Sequence, residues 1–124
     1  MKKFLKYSLI PIVFFFSSFV TVDEVVTAIK TGSASQLSKY IETTVEITFT
    51  DKKNTYSKSQ AELVLKDFFH NNTVKNFDIV HKGDNPNAPL IIGTLDTNAG
   101  EYKTTIYMKQ KGDKQLLQEI RFEK

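Results

Sequence analysis

The chain has 124 residues, with 17 Lys and Arg against 14 Asp and Glu, two His and no Cys. Lys2, Lys3 and Lys6 precede the first apolar run, so the formal charge of +3 belongs to the N-terminus and the remaining 14 basic residues balance the 14 acidic ones. A neutral body offers no positive face to nucleic acid, and the lack of Cys excludes disulfides, thiolate chemistry and a lipoprotein anchor.

The opening "MKKFLKYSLIPIVFFFSSFVTV" has a basic start, an apolar run from Leu9 to Phe16, and then Ser17 and Ser18. That is the layout of a secretory signal. The run is shorter than the roughly 20 residues of a membrane span, so membrane contact is expected only through this leader, if it stays uncleaved. The expectation is a leader over residues 1–20, export to the periplasm or cell envelope, and a single domain over residues 21–124.

Three capping boxes punctuate the first half of that domain: Thr21 with Glu24, Ser33 with Gln36, and Ser57 with Gln60. In each, the hydroxyl accepts from an orphan backbone N–H and the longer side chain reaches back. The spacing predicts a helix over 22–30, with Val22, Val25, Val26 and Ile29 on one side and a stop near Gly32. A short second helix over 34–40 offers Leu37 and Tyr40. "TTVEITF" then alternates, placing Val45, Ile47 and Phe49 on one strand face, and Asp51 to Asn54 read as a turn.

The third helix, 58–70, gathers Ala61, Val64, Leu65, Phe68 and Phe69 in one arc, ends at His70, and leaves Leu63 nearly opposite that arc. Four strands follow, "VKNFDIVHK", "PLIIGTLDT", "EYKTTIYMKQ" and "KQLLQEIRFEK", the last three separated by Asn98-Ala99-Gly100 and Lys111-Gly112-Asp113 turns. Helices followed by a run of antiparallel strands argue an α+β fold with helices on one sheet face.

The segment "DEVVTAIKTGSASQLSKYIETTVEITFTDKKNTYSKSQAELVLKDFF" and the terminal "QEIRFEK" resemble the bacterial domain-of-unknown-function family 4783. The resemblance runs from Asp23 to Glu123 and is most specific from Tyr56 to Phe69 and in the last strand. It implies a nuclear transport factor two-like (cystatin-like) cone: a curved antiparallel β-sheet packed around the N-terminal helices, with a concave pocket and a sheet that dimerises in many members. It also implies a small exported protein. It implies no activity, because the superfamily spans isomerases, dehydratases, cyclases and non-enzymatic modules.

An enzyme of this type places a carboxylate base beside an oxyanion donor inside the cone. Alternation puts Tyr102, Thr104, Ile106 and Met108 on one side of their strand, and an odd-length turn at Lys111 to Asp113 sets them beside Leu116, Gln118, Ile120 and Phe122. A three-residue loop at Asn98 to Gly100 carries Asp96 inward, near Tyr102; an even loop puts Ile91 and Leu95 inward and Asp96 outside. Asp96, Tyr102 and Gln118 are therefore the candidate ligand-binding residues.

No catalytic set is assigned, since nucleophile, base and stabiliser do not converge. His70 suits the negative end of its helix, and His81 lacks an orienting carboxylate. No metal site and no cofactor are implied. The opposite sheet face carries Tyr107 and Leu117, a candidate homodimer patch.

The reading is an exported, non-enzymatic module that holds a small apolar ligand or pairs with its own copy. The alternative is a small isomerase, dehydratase or cyclase using Asp96 with Tyr102.

Overall fold

The computed structural model describes residues 17–124, with side chains from residue 21 onward. Most of the expected leader, residues 1–16, lies outside the described residues. Among those described, no helix is long and apolar enough to cross a membrane.

Three helices and six strands follow in order: α1 (Ser17–Thr31), α2 (Ala34–Ser38), β1 (Thr44–Phe49), β2 (Lys52–Ser57), α3 (Lys58–Asn71), β3 (Val74–Lys82), β4 (Leu90–Thr97), β5 (Gly100–Lys111) and β6 (Lys114–Glu123). The strands form one curved sheet in the order β2-β1-β6-β5-β4-β3, and the helices lie against its concave face. The α+β class is as expected. The sheet is mixed, however, because β1 runs parallel to β6 while every other pair is antiparallel.

The expected cap at Thr21 does not start a helix, because α1 begins upstream at Ser17. At its other end Gly32 adopts φ +63°, Gly32 N–H donates to Ile29 O (3.1 Å) and Ser33 N–H to Ala28 O (2.9 Å). This left-handed stop satisfies two orphan carbonyls. Ser33 then caps α2 by accepting from Gln36 N–H (3.2 Å). Its own N–H is already used by Ala28, so Gln36 has nothing to reach back to and only half of that capping box forms. Ser57 forms the whole box on α3, with Gln60 N–H to its Oγ (3.3 Å) and its own N–H to Gln60 Oε1 (3.2 Å).

The segment expected to turn at Asp51 to Asn54 is mostly strand. Phe49 pairs with Lys52 across a two-residue turn, Thr50-Asp51, and β2 continues to Ser57. Its residues are exposed or half-buried throughout, so it shows no alternation that a pattern reading detects.

The core gathers the α1 stripe (Val25, Val26, Ala28, Ile29), the α3 stripe (Ala61, Leu65, Phe68, Phe69) and the concave residues of the strands. At one end of the cone Phe122 stacks on Phe68 (4.3 Å between centroids) and on Phe49 (5.8 Å), while Tyr102 and Phe69 meet Phe68 edge-on. That end is filled with rings. At Gly93 in β4 an added Cβ would lie 2.6 Å from both Asp78 O and the Phe77 ring, so the aromatic ring covers the space a side chain would take.

Candidate functional site

The β4–β5 hairpin settles which face Asp96 occupies. Thr97 pairs with Gly100, leaving a two-residue loop, Asn98-Ala99. Leu95 therefore faces inward opposite Tyr102, and Asp96 pairs with Glu101 on the convex face. Asp96 and Tyr102 do not converge, and the acid–base pair required by the isomerase-type alternative does not form.

Tyr102 is buried, but its hydroxyl is engaged. It donates to Asn72 Oδ1 (2.8 Å), and Asn72 Nδ2 donates in turn to Phe68 O (2.9 Å), so the phenol braces the C-terminal end of α3. Lys124 Nζ lies 5.1 Å from the centre of the Tyr102 ring and donates to Ala99 O (3.1 Å). Tyr102→Phe is expected to lower stability by about 1–2 kcal/mol, because Asn72 Oδ1 loses its donor inside the core. Urea unfolding checks this; unchanged stability would mean that the hydroxyl has no structural partner.

Gln118 lies on the convex side, and Leu117 lies in the core. Two single-residue shifts produce this. The β5–β6 turn holds two residues, Gly112-Asp113, because Lys111 pairs with Lys114, which moves the near half of β6 by one position. A β-bulge at Gln118 then moves it back: Met108 pairs with Leu117, Tyr107 with Glu119. Ile120 and Phe122 thus face the core as expected, but Leu117 joins them at 0% exposure. Of the expected dimer patch only Tyr107 stays on the outside, 38% exposed. Around it the convex face carries charges, with Glu119 2.8 Å from Arg121 and 3.8 Å from Lys53. Glu119 holds the Arg121 guanidinium above its ordinary pKa, by hydrogen bond first and charge second.

The two-residue turn also sends Gln115 to the face shared with Leu117. There it borders a cleft of about 460 Å³ at the end of the cone opposite the ring cluster. The middle of α1 supplies Val22 and Asp23, the end of β3 Lys82, and the β3–β4 loop Gly83 to Pro86 and Pro89; Leu90 and Ile91 of β4 complete it. Its walls are mainly apolar.

The loop wall is pre-formed. Met108 N–H donates to Pro89 O (2.9 Å), Gln110 N–H to Asn87 O (2.8 Å), and Gln115 Nε2 to Pro86 O (3.0 Å). Pro86 and Pro89 restrict the backbone further. Gln115 is 4% exposed, and its Oε1 has no hydrogen-bond partner among the described residues. The odd-length turn expected from the sequence sets Gln115 on the solvent face instead. The available signal was a two-residue Gly112-Asp113 turn, the shorter and commoner hairpin.

A second groove, between α1 and α2, holds Asp23, Glu24, Thr27, Lys39 and Tyr40. There burial, and then the hydrogen bond it donates to Glu24, push the Tyr40 hydroxyl up to about 12. That bond ties the chain just past α2 to α1. Leu63 stands 66% exposed on the outer side of α3. Neighbouring Glu62 accepts from Ser38 Oγ (3.0 Å), which docks α3 on α2.

Residues 22–123 match the family described as a domain of unknown function, DUF4783. A solved DUF4783 protein from Bacteroides ovatus is 32% identical with a TM-score of 0.77, over 82% of this chain and 92% of that one. Another from Bacteroides uniformis is 27% identical with a TM-score of 0.78, over 82% and 94%. A nuclear transport factor two-like protein of unknown function from Cytophaga hutchinsonii, 8% identical, superimposes with a TM-score of 0.62 over 85% and 87% of the two chains, a likeness of fold alone. No curated protein matches the chain. The chain belongs to the DUF4783 family, whose fold is the nuclear transport factor two-like cone.

Proposed function

We propose that this protein is an exported, non-enzymatic module that holds a small, mainly apolar ligand in the cleft at the open end of its cone. The single observation that carries the reading is the cleft itself: about 460 Å³, apolar walls, one loop tied down by three hydrogen bonds and a buried amide at its edge. Small-molecule sites combine these features, a preformed apolar cavity with few polar groups that orient the occupant. A binding role is favoured over catalysis because Asp96 is on the convex face and the Tyr102 hydroxyl is committed to Asn72. Export is supported by the basic start and apolar run of the leader.

One experiment tests both parts. Cells that make the protein are fractionated, and the chain from the soluble envelope fraction is examined by native mass spectrometry before and after denaturation. The expected result is a chain lacking its leader that carries an added mass released on unfolding. A full-length chain confined to the cytosol would overturn export. A bare polypeptide mass, together with no thermal stabilisation by a panel of small apolar compounds, would overturn the binding role.

A further inference from the structure

We infer that the ligand of this cleft is an uncharged apolar molecule with a hydroxyl or N–H head, and that Gln115 Oε1 is the acceptor that selects it. The inference rests on the binding role proposed above and deepens it.

The orientation of the Gln115 amide is fixed by chemistry. Pro86 O only accepts, so the Gln115 atom 3.0 Å from it must be the nitrogen, and a flipped amide would set oxygen against oxygen. The oxygen is therefore the free end. It is buried, and no protein donor among the described residues reaches it. A buried acceptor without a donor is costly, so a ligand that supplies one is favoured over the same ligand without it.

Oε1 has almost no exposure of its own in the cleft that Gln115 lines, so a donor there meets it only once the side chain shifts. A slight tilt about the broad terminal torsion of the Gln side chain presents the oxygen to it. The charged rim points the same way. Asp23 and Asp84 line the cleft with one cation, Lys82, so its charged lining is net negative and a carboxylate head is disfavoured. The remaining walls, Val22, Leu90 and Ile91 among them, match an apolar body.

Calorimetry on the purified full chain with 1-decanol, its isomer 1-methoxynonane and decanoate tests this. The alcohol and the ether have equal size and differ in one donor. Wild type is expected to bind the alcohol about tenfold or more tightly than the ether, and decanoate more weakly than the alcohol. In Gln115→Met, which keeps the side-chain volume but gives up the bond to Pro86 O, the alcohol-to-ether ratio is expected to fall to about one whatever the change in absolute affinity. The wild-type ratio decides the matter even if that variant unfolds.

Equal binding of alcohol and ether by wild type would overturn the acceptor role of Gln115 and leave the cleft as a purely apolar site. Preference for decanoate would overturn the donor-head class. Binding of none of the three would overturn both this inference and the binding role beneath it.

Discussion

Leu117→Asp is expected to unfold the protein, whereas Tyr107→Asp leaves it folded. Leu117 is 0% exposed and sits opposite Met108 in the core, so a carboxylate there is buried without a partner. An uncompensated buried charge costs about 3–5 kcal/mol, and the lost apolar packing adds to it. Against a total stability on the order of 5–15 kcal/mol, most of the folded population is lost. Tyr107 lies on the convex face, half in solvent, beside Glu119. A like-charge neighbour there costs under about 1 kcal/mol. Circular dichroism through a urea titration separates the two variants, and sedimentation velocity of Tyr107→Asp reports on association through the sheet. A Leu117→Asp chain that melts like wild type would place Leu117 at the surface and return it to the proposed dimer patch.

The same residue shows how far the sequence carries. Elements whose pattern has one period were legible: the Ser57 cap, the stripe of α3 and the inward Val45, Ile47 and Phe49 of β1 all stand where alternation or a 3.6-residue period puts them. What failed was register. The period of a strand is two, so each one-residue error inverts a face. On β6 the short turn introduced one such error and the Gln118 bulge cancelled it, which is why Ile120 and Phe122 were read correctly while Leu117, Gln118 and Gln115 were not. On β4 both loop lengths were open, and the two-residue loop sent Asp96 outward.

The candidate site was illegible for the same reason. Its polar group, Gln115, lies on the inverted stretch of β6, and its walls come from two segments distant in the chain, residues 22–23 and 82–91. β2 escaped notice because a polar edge strand, exposed along its length, has no buried face to impose a period.

The division of the cone into a filled end and an open end gives the second large effect. Phe122 is fully buried in the ring cluster, stacked on Phe68 and on Phe49, which also meet each other at 5.3 Å, with Phe69 edge-on at 6.1 Å. It also joins two parts of the sheet, since it pairs with Phe49 on β1 and Thr104 on β5. Truncation to Ala removes the ring from a space that its neighbours, held by two strands and a capped helix, cannot close. Phe122→Ala is expected to cost about 3–5 kcal/mol. At 4–8 °C for each kcal/mol, a domain of this size loses roughly 12–40 °C in Tm. Phe122→Leu keeps most of the buried volume and is expected to lose less than half as much. The cleft lies at the opposite end of the sheet, so Phe122→Leu should bind ligand as wild type does at temperatures where it stays folded. Thermal melts of the two variants with and without 1-decanol check this: a Phe122→Ala melt within a few degrees of wild type would mean the ring cluster is not the keystone of the fold, and lost binding in folded Phe122→Leu would mean the two ends are coupled.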